Sequence, residues 1–219
     1  EPVLNAPRLG SIQYHPSLLP LHKGPSSINW PIIFGKTQTG LSIFWPDEGL
    51  DTGPILLQKE VEIGPDDTLG SLYFNHLFPM GVAAMTEAVD LVRAETAPRI
   101  EQDPSGGSYE GWCTPDDVRI DWHQDVDQIY NMIRGANPQP GAWTTVAGKR
   151  LTVLDSSKSD NTDGDPGTVI AADASGITVA ANGGSICISR FKPQGGSKLS
   201  AAEMMEQSPL NAGDVLGVD

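Results

Sequence analysis

Residues 10–25 read G-S-I-Q-Y-H-P-S-L-L-P-L-H-K-G-P, and most of the fold can be built outward from them. Gly10 to His15 has the texture of a short strand, and Pro16 must end it because proline brings no N–H to a ladder. Pro20, Gly24 and Pro25 then punctuate a loop. Downstream, Ser26 or Ser27 is placed to cap a helix running to about Phe34 and closed by Gly35. Thr39–Trp45 (T-G-L-S-I-F-W) alternates into a second strand, residues 46–54 form a turn-rich loop, and Ile55–Ile63 reads as a third strand with one buried face. Asp66 or Asp67 caps a long helical stretch whose stripe joins Leu69, Leu72, His76 and Leu77 to Val82, Met85, Val89 and Val92. Pro79 should kink or split that helix.

This order predicts an α/β fold, half of a doubly wound sheet with fewer strands than such sheets usually carry. The opening Glu1-Pro2-Val3-Leu4 reads as a start in mid-fold, so further strands are expected to precede it. A sheet so opened would leave an edge for a missing N-terminal half or for a second copy.

Residues 96–112 (T-A-P-R-I-E-Q-D-P-S-G-G-S-Y-E-G-W) hold too few apolar positions for an element and read as a linker between residues 1–95 and 113–219. The second segment has a helix near Asp125–Arg134 and then short β-like runs at 142–146, 150–154, 168–172, 176–181 and 185–191. A small barrel-like or open antiparallel sheet is expected. Ser200-Ala201-Ala202-Glu203 is a capping box that opens a last helix.

Composition narrows the function classes. The 219 residues carry 14 Lys and Arg against 28 Asp and Glu, a net charge of −14. Binding to nucleic acid rests on cationic side chains releasing counterions, so a surface this acidic argues against it. No apolar run is long enough for a membrane span. Cys113 and Cys187 alone build neither a disulfide framework nor a four-ligand zinc site, which fits a cytoplasmic chain.

Two residues carry the chemistry. His15 stands where a strand becomes a loop, and Asp51 lies in the exit loop of the next strand between Gly49 and Gly53. In open α/β sheets the carboxyl ends of strands form the ligand crevice. If the two strands are neighbours, imidazole and carboxylate meet there as an acid–base pair. Gln13, two residues before His15, shares its strand face, and its carboxamide could donate to a developing oxyanion. The other histidines read more plainly: His76 as packed on the helix stripe, His123 as a cap or solvent residue. His22, beside Lys23, reads as loop surface or as a lid residue that touches substrate.

The joint pattern His15-Pro16-Ser17-Leu18-Leu19-Pro20, Gly24 and Asp47-Glu48-Gly49-Leu50-Asp51-Thr52-Gly53 resembles the folate-dependent formyltransferase superfamily. Tyr109-Glu110-Gly111, Arg119-Ile120-Asp121-Trp122, Ile133-Arg134-Gly135 and Pro140-Gly141-Ala142-Trp143 extend the resemblance past the linker. It implies a partial Rossmann-like catalytic domain and a β-rich C-terminal domain. It implies catalysis by His15 and Asp51, with Gln13 where the family usually has Asn. It also implies that the loop with Trp45, Asp47, Glu48, Gly49 and Leu50 holds the pterin ring. The implied cosubstrate is 10-formyltetrahydrofolate, without a metal, and the acceptor is water, an amine or Met-tRNA. The texture is nearest the hydrolase branch that acts on 10-formyltetrahydrofolate; the branch that formylates Met-tRNA, or a non-catalytic folate-binding module, is the alternative.

Overall fold

A computed structural model describes residue 4 and residues 6–218. The chain divides into two compact units, Glu1–Pro31 with Lys36–Trp112, and Ile32–Gly35 with Cys113–Asp219. Glu1, Pro2 and Val3, on which the mid-fold reading leans, lie outside the described residues.

The first unit is built on a sheet of β1 (Gln13–His15), β2 (Gln38–Phe44) and β3 (Ile55–Glu62) in that spatial order. Between β1 and β2 comes α1 (Asn29–Ile33), shorter than expected, with Pro31 in its first turn, where a missing N–H is tolerated. Both strand pairings are antiparallel, with Gln13 opposite Phe44 and His15 opposite Ser42. The described strands form an antiparallel meander, and with its helices the chain has the mixed α/β make-up expected from the sequence.

Strand β2 is covered on both faces. Leu41, Ile43 and Trp45 point to one side, where they pack with Leu56 and with Ala84 and Ala88 of a helix. Phe44 points to the other and joins Leu19 and Ile55. Alternation along β2 thus does not separate core from solvent; it separates a helix-covered face from a loop-covered one. The covering helix comes in pieces: α2 (Leu69–Leu72), a π turn over Tyr73–Leu77, and α3 (Phe78–Arg93). Thr68 caps it by accepting from the Ser71 N–H, while the Ser71 hydroxyl accepts from Thr68. Pro79 stands in the first turn of α3, where its missing N–H is least costly, and the wider turn before it accommodates the ring.

Residues 98–110 are hydrogen-bonded within this unit: Ile100 exchanges two backbone bonds with Ile55, and the Trp45 indole donates to the Pro98 carbonyl. The outer side of the helix keeps Phe74, Phe78, Val82 and Val89 exposed. His76, expected to be packed, is exposed as well.

The second unit has α4 (Val126–Gly135) followed by β4 (Trp143–Val146), β5 (Lys149–Val153), β6 (Ser156–Ser159), β7 (Val169–Ala172), β8 (Ile177–Ala181), β9 (Gly184–Ile188), β10 (Arg190–Pro193), β11 (Leu199–Ser200) and α5 (Ala201–Gln207). They form two antiparallel four-stranded sheets, β11-β10-β5-β4 and β6-β9-β8-β7. Among the described residues they close no barrel. Ile129 and Ile133 of α4, with Val179, Ile186, Ile188 and Phe191, are buried almost completely. Ser200 and Glu203 form the expected capping box on α5. No helix among the described residues is long and apolar enough to cross a membrane.

Candidate active site

His15 is the last residue of β1 and is buried, as is Asp51. The loop after His15 is held down through Ser42, opposite it on β2. The Ser42 hydroxyl donates to the Ser17 carbonyl at 2.7 Å and accepts from the Leu19 N–H at 3.0 Å and from Gln58 at 2.8 Å. A buried serine that uses its donor and both lone pairs is a strong local constraint. It sets the path of the loop that comes back over His15.

Two partners meet the imidazole. Its Nε2 lies 2.9 Å from the backbone oxygen of His22. Its Nδ1 lies 3.6 Å from Oδ2 of Asp51. A carbonyl oxygen only accepts, so Nε2 must carry the hydrogen, and in the neutral ring Nδ1 keeps its lone pair. That lone pair and the Asp51 carboxylate therefore face each other as two acceptors without a proton between them. A donor brought to this edge would find both.

Asp51 is positioned as firmly. Its Oδ2 accepts from the Gly24 N–H at 2.9 Å, and its backbone oxygen accepts from Gln102, 3.0 Å away. The same Gln102 amide reaches the Gly53 carbonyl at 2.7 Å. A β carbon on Gly53 would stand 1.8 Å from the Trp45 backbone oxygen, so only glycine lets the loop close there. Strands β1 and β2 are antiparallel, so they share no carboxyl end; loop 46–53 returns Asp51 to His15 instead. Among the described residues, four that are not glycine have positive φ, and His22 and Asp51, both at φ +54°, are two of them. Each costs about 1 kcal/mol relative to a relaxed backbone, and such strain concentrates at functional sites.

The other expected residues are placed as follows. Gln13 is exposed at the far end of the three-residue β1. Trp45 is buried in the core with its indole hydrogen-bonded, which leaves only its backbone for a ligand. Asp47, Glu48, Gly49 and Leu50 are exposed, and Asp47 ties the loop by accepting from the Gly49 N–H and the Thr52 hydroxyl. Leu50 is 57% exposed. His22, read as surface or lid, is buried, with Nδ1 3.2 Å from Oε2 of Glu110. Gln102 and Glu110 lie in the segment that reads as a linker; in the sequence Glu110 stands out only within the Tyr109-Glu110-Gly111 motif, and Gln102 not at all.

Tyr14 faces away from His15, onto α3. A β carbon on Gly81 would come within 2.8 Å of its ring, so the close approach depends on that glycine. Burial and the neighbouring Tyr73 push the Tyr14 phenol up to about 12, which keeps it neutral. It borders an apolar groove of about 610 Å³ with Tyr73, Phe78, Val82, Met85 and Val89.

Residues 1–89 match the family model described as Formyl transferase, and residues 113–209 the one described as Formyl transferase, C-terminal domain. The chain is 51% identical over 154 residues to cytosolic 10-formyltetrahydrofolate dehydrogenase of Mus musculus, covering 70% of this chain and 17% of that protein. It thus spans under a fifth of that relative's length. It is 38% identical over 216 residues to methionyl-tRNA formyltransferase of Syntrophus aciditrophicus (strain SB), covering 98% of this chain and 69% of that protein. Among solved structures, HypX from Aquifex aeolicus in complex with tetrahydrofolic acid superposes with a TM-score of 0.75 at 19% identity, over 95% of this chain and 38% of that one. This last likeness is one of fold.

Proposed function

We propose, for a chain that belongs to the formyl transferase family, that it handles the formyl group of 10-formyltetrahydrofolate at His15 and Asp51. The observation that carries the reading is the pair of acceptors, Nδ1 and Oδ2, left 3.6 Å apart and buried while Nε2 is engaged elsewhere. The folate would supply an activated formyl carbon bound to N10. The chain supplies the proton path. Nδ1 of His15 takes the proton that the attacking water or amine must lose, and the Asp51 carboxylate steadies the imidazolium so formed. The same Nδ1–H then returns the proton to the departing nitrogen, so the pair ends as it began. Gln13, on the same strand face, would donate its carboxamide to the oxygen on which charge gathers.

Loop 45–50 suits a planar heterocycle with its own donors and acceptors, because its exposed stretch offers backbone groups and the Leu50 side chain beside the reacting pair. Identity to the dehydrogenase favours water as acceptor. The test is formyl release from 10-formyltetrahydrofolate, run alongside calorimetry with a stable folate analogue. Turnover supports the enzyme, binding without turnover supports a folate-binding module, and neither result in a folded protein removes the reading.

One observation favours a second acceptor. In the acidic second unit, cations gather on one face of the sheet β11-β10-β5-β4: Arg150 on β5, Arg190 and Lys192 on β10. Arg119 and Arg150 also stack over the Trp143 ring, at 5.3 and 4.6 Å. A phosphate-bearing acceptor such as Met-tRNA would use that face, and a salt-sensitive gel shift with initiator tRNA would show it.

A further inference from the structure

The acid–base reading uses His15 and Asp51 but leaves unexplained a second, buried His–carboxylate pair beside them. The His22 and Glu110 side chains are 11% and 15% exposed, and Nδ1 of His22 lies 3.2 Å from Oε2 of Glu110. The pair sits in a seam where residues 108–110 run alongside the loop that covers His15. Ser108 N–H donates to the Pro20 carbonyl, Lys23 N–H to the Ser108 carbonyl, and Glu110 N–H to the Lys23 carbonyl. The Ser108 hydroxyl accepts from the His22 N–H at 2.9 Å. His22 itself is held at φ +54°, and its carbonyl is the group that receives Nε2–H of His15.

We propose that His22 and Glu110 are positioning residues that set the tautomer of His15. A histidine has no intrinsic reason to stay in the left-handed region, and relaxation to negative φ would swing the adjoining carbonyl away from His15. The seam fixes the N–H side of His22, and the Glu110 carboxylate fixes its ring. Together they leave the carbonyl one direction. With that carbonyl in place the hydrogen stays on Nε2 and Nδ1 remains open toward Asp51. Without it the hydrogen moves to Nδ1, donates to Asp51, and closes the proton-accepting edge. The proposal rests on reading Nδ1 of His15 as the proton acceptor.

The test is 15N NMR of the His15 imidazole in the intact chain at pH 8, with formyl release measured in parallel. Wild type is expected to show the Nε2-protonated tautomer. Glu110→Gln, whose carboxamide oxygen still accepts from the His22 ring, is expected to keep it. Glu110→Ala should shift His15 to a mixture of tautomers and lower turnover about 10- to 100-fold, since a small misplacement of a reacting group has effects of that order. KM for the folate should change little. His22→Gly removes the ring that Glu110 anchors and lets the backbone leave φ +54°, so the carbonyl is free to turn and the same mixture is expected, which decides the matter if Glu110→Ala does not fold. An unchanged tautomer in whichever of the two variants folds overturns the proposal, as does an Nδ1-protonated His15 in wild type. Absence of turnover in every protein, wild type included, would remove the catalytic reading while the tautomers still decide the anchor.

Discussion

Two regions of this molecule hold a histidine against an aspartate, and the closer pair is the more exposed one. His123 and Asp121 stand 3.3 Å apart in the second unit, with side chains 78% and 58% exposed. His15 and Asp51 stand 3.6 Å apart in the first, each 7% exposed. In the exposed pair, water screens the attraction. In the buried pair the groups around the contact are held by fixed bonds: Nε2 donates to the His22 carbonyl, Oδ2 accepts from the Gly24 N–H, and the Asp51 carbonyl accepts from Gln102. What sets the pair proposed for proton transfer apart from the surface contact is therefore the surrounding set of hydrogen bonds, which fixes the side chains in place.

The sharpest way to break this comparison is to remove the members in turn. His15→Ala or Asp51→Asn is expected to lower formyl release by about 10³-fold or more, whereas His123→Ala leaves it unchanged. Thermal unfolding should show that the variants remain folded, since both changes shorten or neutralise a side chain without adding bulk. Retained turnover in both His15→Ala and Asp51→Asn would overturn the assignment.

The next contrast compares two glycines with the same backbone need and different surroundings. Gly24 has φ +104° and Gly213 has φ +96°. A β carbon on Gly24 would stand 2.3 Å from the Glu110 carbonyl oxygen, while one on Gly213 meets nothing within 4 Å. Gly213→Ala should cost about 1 kcal/mol, the price of the backbone conformation alone. Gly24→Ala should cost about 2–4 kcal/mol, because the seam over His15 must also move, and turnover should fall with it. Chemical denaturation of both variants measures the difference; equal losses would show that the seam yields easily.

Much of this was legible in the chain. His15, Pro16 and the Gly-flanked Asp51 are local signals, each marked by its neighbours, and the structure brings the two reactive side chains together. The direction of the strands was not legible. β1 has three residues, too few for a periodicity, and β2 is buried on both faces, which in sequence looks like a strand of a parallel sheet. His22 was misjudged for a related reason. Beside Lys23 in a loop it looks solvent-facing, and its partners Ser108 and Glu110 lie more than eighty positions away in a segment poor in apolar residues. A single sequence records what a residue is next to in the chain, and this seam is made of residues that meet only in the fold.

The smallest expected effect concerns carboxylates that, unlike Asp51, have purely local work. Asp173 turns the chain between β7 and β8 by accepting from the Ser175 hydroxyl and N–H and from the Gly176 N–H. These bonds, the hydroxyl's first, hold its carboxyl below the usual range. A carboxylate whose pKa is lower folded than unfolded stabilises the protein above the unfolded value. That contribution is lost as pH falls through the folded one. Asp173→Ala should therefore lower Tm by about 1–2 °C at pH 7. The gap between variant and wild type should hold at pH 5 and close toward pH 3, as the wild-type carboxyl takes up its proton. Turnover at pH 7 should be unaffected, because this aspartate orders only its own turn. A gap that widened on acidification would show that the Asp173 carboxylate is held against its preference, as an unpartnered buried charge would be.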